Sequence, residues 1–353
     1  ETMTAKTYDL SSGYTISRVI RGGWQLAGGH GPIDHTQAVD DLIAAYDAGL
    51  TTFDCADIYT GVEELIGDFR VKLADKRGVD AAAKVKVHTK MVPDLDVLPR
   101  ISKAYVAGIV EQSLKRLRVE RLNLVQFHWW DYAFTGYLDA FGWLNELRQE
   151  GKIQNVGGTN FDVPRVKQVL EAGIPLASMQ VQYSVLDNRP EHGFADLAAA
   201  NSITLLCYGS VAGGFLSDRW LSVPEPEMPL ENRSLVKYKL IIDDFGGWDL
   251  FQDLLRTLKS VGDRHGADIA TIASAYMLEQ PLVGAVIVGA RNQQHALANA
   301  AIMDLELDKD DLAVIQAVID KSSGLEGDVY TLERDRAGRH GSIMHYNLNA
   351  GKK

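Results

Sequence analysis

Cysteine is nearly absent: the chain has two, Cys55 and Cys207, each inside an apolar run that reads as a buried strand. That excludes a disulfide scaffold. Neither residue sits in a CxxC or metal-ligand spacing, so no metal centre is expected. No run approaches the roughly 20 apolar residues that a membrane-spanning helix requires. The N-terminus lacks the basic-then-apolar order of a secretory leader, which makes the cytoplasm the expected compartment. Positive charge is also in short supply, with 36 Lys and Arg against 47 Asp and Glu, a net charge of −11 and no long basic cluster. A surface built to coat a phosphate backbone is therefore excluded, and nucleic acid is not an expected partner. An anionic ligand would have to be held by local devices: backbone N–H groups, a helix N-terminus, or a few placed Arg and Lys.

What the chain does have is alternation. Its 353 residues, 46% hydrophobic with 32 glycines, can bury a sizeable core joined by many tight connections. Short β-branched apolar segments are expected as strands near Arg18–Trp24, Thr51–Cys55, Val85–Thr89, Leu122–Phe127, Asn155–Thr159, Ser178–Gln182, Thr204–Cys207 and Gly284–Val288. Amphipathic helices are expected between them, among others at Thr36–Ala48, Tyr105–Leu117, Tyr137–Glu150 and Val163–Ala172. About eight such units predict an α/β fold closed into a (β/α)8 TIM barrel, with residues 1–353 forming one domain. A doubly wound sheet would carry GxGxxG in its first turn. Here that turn reads Gly22-Gly23-Trp24-Gln25-Leu26-Ala27-Gly28-Gly29, which lacks the spacing. Three segments exceed a bare barrel. A hairpin is expected at Thr7–Ser17, a long Pro-, Glu- and Trp-rich loop at Gly209–Gly246 after the seventh strand, and a C-terminal tail from Lys321 onward.

In a parallel barrel, reactive side chains come from the C-terminal strand ends and the loops that follow. Asp54 ends the second strand, Tyr59 follows in the next loop, Lys90 comes right after the third strand and His128 right after the fourth. Together they make a proton-transfer device. A carbonyl that receives a hydride needs a proton on oxygen, and a tyrosine can give it if a nearby cation brings its pKa toward the working pH. Lys90 would be that cation and Asp54 its anchor. His128 would hydrogen-bond and orient the carbonyl oxygen. Taken singly, each also fits a structural role: a turn-capping carboxylate, a rim aromatic, a solvated lysine, a core histidine.

The stretch Gly49-Leu50-Thr51-Thr52-Phe53-Asp54-Cys55-Ala56-Asp57-Ile58-Tyr59, with Lys90 in Val87-His88-Thr89-Lys90 and His128 in Val125-Gln126-Phe127-His128-Trp129, resembles the catalytic tetrad of the aldo-keto reductases. The resemblance covers nearly the whole chain and implies reduction of a carbonyl with NADPH. Thr159 and Asn160 look like the pair that holds the nicotinamide carboxamide, with Gln180 as a third ligand and Tyr208 as the ring that stacks on it. It further implies that Gly23 and Trp24 border the cofactor. Gly209, Ser210, Val211, Gly213 and Phe215 would fold over the pyrophosphate, in place of the more usual Ser-Pro-Leu. Gly289 and Arg291 look like the adenosine-phosphate turn, with His295 and Asn299 on the adenine side. Arg291 would favour NADPH over NADH by a bidentate contact to the 2′-phosphate. The segment departs from the family at Ala298, where a Glu is usual, and at His295, where a longer Arg or Gln is common.

Trp24, Trp129, Trp130 and Trp220 are expected to shape the substrate pocket, an aromatic rim that suits a bulky apolar ketone or aldehyde. The expected partner is thus a small-molecule carbonyl. Two other functions share these features. One is a cofactor-binding regulatory subunit resembling the β subunits of potassium channels. The other is an aldolase-like barrel in which Lys90 is a Schiff-base amine.

Overall fold

A computed structural model describes residues 6–27, 32–290 and 293–349. The chain opens with a hairpin of β1 (Thr7–Ser11) and β2 (Tyr14–Ser17), paired antiparallel with Tyr8 opposite Ile16. Eight parallel strands then close a barrel: β3 (Val19–Gly22), β4 (Thr52–Asp54), β5 (Lys86–Met91), β6 (Leu122–Phe127), β7 (Ile153–Thr159), β8 (Ser178–Gln182), β9 (Thr204–Tyr208) and β10 (Val283–Val288). Each strand pairs with the next in sequence, and β10 returns to β3. The sequence-based boundaries differ mostly by one or two residues. β5 is the informative case, since it runs on through Lys90 and Met91 and places Lys90 on the strand itself.

Around the barrel lie α1 (His35–Asp47), α2 (Val62–Arg77), α3 (Val79–Ala83), α4 (Lys103–Leu117), α5 (Tyr137–Gln149), α6 (Val163–Glu171) and α7 (Phe194–Ala200). They are followed by α8 (Arg233–Phe245), α9 (Trp248–His265), α10 (Ile269–Leu278), α11 (Gln293–Ala300), α12 (Lys309–Ile319) and α13 (Thr331–Arg334). Caps set their starts: the side chains of Asp34, Ser102, Asp162, Asn232 and Asp268 accept the N–H three residues on, satisfying a donor that the first turn leaves free. Gly49 and Gly151, at φ of 100° and 88°, turn the chain out of α1 and α5 into the next strand, a conformation that costs other residues steric strain.

Strand alternation divides the side chains between two cores. Val125, Phe127, Leu205, Cys207 and Val286 face outward and pack under the helices. Ile20, Leu124, Leu206 and Ala285 face inward at the N-terminal end of the barrel, where Leu10, Tyr14 and Ile16 of the hairpin cover them. The hairpin is thus the barrel's floor. It is pinned there by bonds from Thr204 Oγ1 to the Leu10 carbonyl (3.0 Å) and between Tyr14 Oη and His88 Nε2 (3.0 Å). One layer higher, the inward positions become polar: Asp54, Lys90, Gln126 and Gln180. An apolar floor beneath a polar layer leaves the chemistry at the opposite mouth, where parallel barrels place it.

The long connection after β9 is largely structured and contains α8. The tail returns across the mouth. Asn349 reaches Asp94, Val92 and Asp57, and Arg334 on α13 donates to the carbonyls of Trp129, Trp130 and Asn160. Among the described residues no helix is long and apolar enough to cross a membrane, and no cluster of His, Cys, Asp and Glu could hold a metal ion.

Candidate active site

Asp54, Tyr59 and Lys90 meet at the mouth. Lys90 Nζ lies 2.5 Å from Asp54 Oδ2, 3.2 Å from the Cys55 carbonyl and 3.4 Å from Tyr59 Oη. All three acceptors surround one ammonium that is otherwise buried. Burial works against that charge, but the Asp54 carboxylate and the Tyr59 oxygen outweigh it and hold the Lys90 pKa above its ordinary value. A lysine kept protonated is a poor Schiff-base nucleophile, so the aldolase-like reading loses its reactive amine.

Asp54 is itself held from below. Gln126 Nε2 and Gln180 Nε2 donate to its Oδ1 at 3.0 and 2.9 Å, and Gln180 Nε2 also reaches Gln126 Oε1 at 2.8 Å. With Oδ2 given to Lys90, both carboxylate oxygens are engaged. Gln180 therefore points its amide nitrogen into the barrel layer. Gln126 went unnoticed in the sequence. It lies two residues before His128 in the same alternation, a buried polar residue between Val125 and Phe127, and strand alternation would have singled it out.

Tyr59 is raised above its ordinary pKa, because burial disfavours the phenolate more than the neighbouring Lys90 favours it. The sequence-based expectation of a lowered phenol is corrected for the free protein. At neutral pH the hydroxyl keeps its proton and is ready to give it. His128 also acts differently from expectation. Its Nδ1 lies 3.2 Å from the Thr159 carbonyl, which can only accept, so Nδ1 carries the proton. Burial, with the Arg334 charge, lowers its pKa to about 3. The neutral ring thus presents an unprotonated Nε2, buried and without a hydrogen-bond partner among the described residues. Such an atom accepts a hydrogen bond and does not donate one to a carbonyl oxygen.

The remaining expected residues divide into two groups. Near the mouth, Trp24 is 44% exposed with its ring 5.2 Å from that of Tyr59, and Trp130 meets the His128 ring edge-on at 4.3 Å. Gly23 packs so closely that a Cβ would stand 2.7 Å from the Asp54 carbonyl, which is why a larger residue cannot replace it without shifting β4. Thr159 and Asn160 are buried side by side. Thr159 Oγ1 has no hydrogen-bond partner among the described residues, whereas Asn160 Oδ1 accepts from Tyr208 Oη at 2.9 Å. Asn299 Nδ2 holds the Gly289 carbonyl at 3.0 Å, His295 is exposed in the first turn of α11, and Arg291 lies outside the described residues.

Trp129 and Trp220 do not line the mouth. Trp129 is fully buried beside Phe127 and Tyr137, its Nε1 satisfied by the carbonyls of Asp131 and Phe134. Trp220 packs with Phe215 and Trp248 under α9, and Phe215 is buried with it. Both expectations fail for one reason: an apolar ring at a strand end or in the loop beyond it gains more from closing the helix layer than from facing water. In the loop after β9, the N–H groups of Ala212, Gly214, Phe215 and Leu216 bond within the loop. A Cβ on Gly209 or Gly213 would stand 2.6 or 2.8 Å from Tyr238, so these glycines admit α8 against the loop. Ser210 is buried with its hydroxyl 3.3 Å from that of Ser274, while Val211 is half-buried.

Comparison with known proteins agrees with this geometry. The model of the aldo/keto reductase family matches residues 18–320, and the chain belongs to that family, an oxidoreductase family. It is 25% identical over 316 residues to the NADH-specific methylglyoxal reductase of Escherichia coli, covering 86% of this chain and 94% of that protein. It is likewise 25% identical over 324 residues to the aldo-keto reductase YhdN of Bacillus subtilis, covering 88% and 92%. The glycerol dehydrogenase AKR11B4 of Gluconobacter oxydans superposes with a TM-score of 0.74 at 22% identity, over 92% of this chain and 98% of that one. This last likeness concerns the fold alone.

Proposed function

We propose that this chain reduces a ketone or aldehyde to an alcohol with NADPH, Tyr59 acting as the proton donor. The observation that carries the reading is the Lys90 ammonium fixed by Asp54 at 2.5 Å and standing 3.4 Å from the Tyr59 hydroxyl. The proton leaves Tyr59 for the carbonyl oxygen, and the phenolate so formed faces a cation that cannot move away. His128 Nε2, an acceptor, is suited to the hydroxyl hydrogen of the alcohol product, or of the substrate in the reverse direction. The residues present fit a nicotinamide cofactor. Thr159 Oγ1, without a partner among the described residues, together with Asn160 and Tyr208 offers polar contacts and a stacking ring, and Gly289 with Arg291 would take the adenosine phosphate. When bound, that cofactor supplies the hydride.

The experiment is NADPH oxidation with a panel of aldehydes and ketones, on wild type and Tyr59→Phe. The expected result is turnover by wild type, loss of nearly all of it in the variant, and an almost unchanged NADPH dissociation constant. Near-normal turnover in Tyr59→Phe overturns the assignment of the proton donor. Very slow turnover by wild type with every substrate would instead favour a cofactor-binding regulatory role.

A further inference from the structure

Lys237 on α8 is a cation in an unusual setting. Its Nζ lies 5.1 Å from the centre of the Tyr208 ring and 5.3 Å from that of Tyr238. Among the described residues it makes no hydrogen bond or ion pair. Lys239, two residues along the same helix, pairs with both Glu225 and Asp243 at 2.7 and 2.6 Å. The difference is one of direction. Lys239 turns toward Glu225 and Asp243, whereas Lys237 lies over the ring expected to stack on the nicotinamide.

The charged groups nearest to Lys237 are Glu333, Arg189 and Asp187, and burial lowers its pKa against the pull of Glu333. Those carboxylates are already engaged. Arg189 donates to Glu333 Oε1 and Oε2 at 2.9 and 2.8 Å, and to Asp187 Oδ1 and Oδ2 at 3.0 and 2.8 Å. Gln182 adds a further donor to Asp187 Oδ2. The three N–H groups of Lys237 are therefore left for something else.

Its surroundings belong to the site. The Tyr238 phenol, which also makes no hydrogen bond among the described residues, lies within electrostatic reach of Tyr59, the proton donor. Tyr208 lies within the same reach of Tyr330, whose ring meets that of His128 edge-on at 5.5 Å. Lys237 and Tyr238 thus form a pair of donors without a hydrogen bond among the described residues, beside Tyr208 and the glycines of the loop after β9. A half-buried ammonium that makes no hydrogen bond among the described residues is suited to an oxyanion.

We propose that Lys237, with Tyr238, binds a carboxylate on the substrate, so that oxo acids and semialdehydes are favoured over uncharged carbonyls of the same size. This rests on the reading of the chain as a carbonyl reductase, and it replaces the expectation of a purely apolar substrate. The chemistry that Lys237 recognises, an oxyanion, is also present in the cofactor's phosphates, and the test separates the two sources.

Three measurements on wild type, Lys237→Met and Lys237→Arg decide it. The first is the ratio of kcat/KM for 4-oxobutanoate to that for butanal. It should fall roughly tenfold to a hundredfold in Lys237→Met, the range for loss of a charge-assisted hydrogen bond, and recover in part in Lys237→Arg. The second is the dissociation constant of NADPH, by fluorescence quenching. A loss there matched by equal losses for both aldehydes would assign Lys237 to the cofactor's phosphate and overturn the proposal. The third needs no turnover: succinate titrated into the NADP-loaded protein, followed by tryptophan fluorescence. Binding that weakens at least tenfold in Lys237→Met supports the proposal even if no aldehyde is reduced, a result that would count against the reductase reading alone. An unchanged substrate ratio and unchanged succinate binding, with only the melting temperature lowered, would make Lys237 a structural counter-charge and overturn the proposal.

Discussion

Replacing Glu333 by Gln should loosen the tail that covers the mouth. Glu333 is 2% exposed and Arg189 is 1% exposed, and the two meet in a bidentate pair. Burial alone would raise the Glu333 pKa, but the Arg189 charge and hydrogen bonds lower it from 4.5 to about 2. Carried into stability, that depression favours the folded state by about 3 kcal/mol at neutral pH. Removing one member of a buried pair commonly costs about 3–5 kcal/mol, because the other charge stays behind unpaired. Asp187 still faces Arg189 in the variant, so the lower end of that range is expected. The sign follows from the depressed pKa. The contribution is fully present above the unfolded value near 4.5 and is lost as pH falls toward 2, with about 1 kcal/mol already gone at pH 4.

The cost can surface in two ways. If the tail opens by itself, only the contacts of Tyr330, Glu333 and Arg334 are lost, and the global unfolding free energy changes by less than 3 kcal/mol while amide exchange across Thr331–Arg334 accelerates. If the tail unfolds with the barrel, the full loss appears in the urea midpoint. Urea unfolding and hydrogen exchange of both proteins at pH 7 and pH 4 distinguish these outcomes. The gap between wild type and Glu333→Gln should narrow at the lower pH. A variant within 0.5 kcal/mol of wild type at pH 7, with unchanged exchange in the tail, would refute the idea that this ion pair holds the tail down.

Lys90→Met removes the cation that opposes the rise of the Tyr59 pKa, so the phenol should titrate at still higher pH. The basic limb of the pH profile for alcohol oxidation should shift upward and the rate at neutral pH should fall, and an unshifted limb would count against the coupling. Arg291→Ala should weaken NADPH roughly tenfold to a hundredfold while sparing NADH, measured as paired dissociation constants at one ionic strength. Equal losses for the two cofactors would make Arg291 a surface charge.

Much of the site was legible in the chain itself because barrel geometry ties sequence position to spatial position. Asp54, Lys90 and His128 each fall at the C-terminal end of a strand, and closure brings such ends together whatever the helices between them do. The same rule misplaced Trp129 and Trp220, since a strand-end or loop position does not say which way a ring turns. Burial against Phe127 or Phe215 decided that.

The residues the sequence did not disclose act through contacts between distant segments. Gln126 holds Asp54 across 72 positions, Arg189 meets Glu333 across 144, and Arg334 reaches the Asn160 carbonyl across 174. No local periodicity encodes such pairs, because nothing in either segment's own pattern requires the other. The chain alone determined the strand and helix order, the hairpin ahead of the barrel and the places of Asp54, Lys90 and His128 at strand ends, all set by alternation over a few neighbours. Only the folded molecule decided which proton His128 carries, because the Thr159 carbonyl stands at its Nδ1. It also decided that Lys237 has no counter-ion of its own among the described residues, because Arg189 already engages both nearby carboxylates.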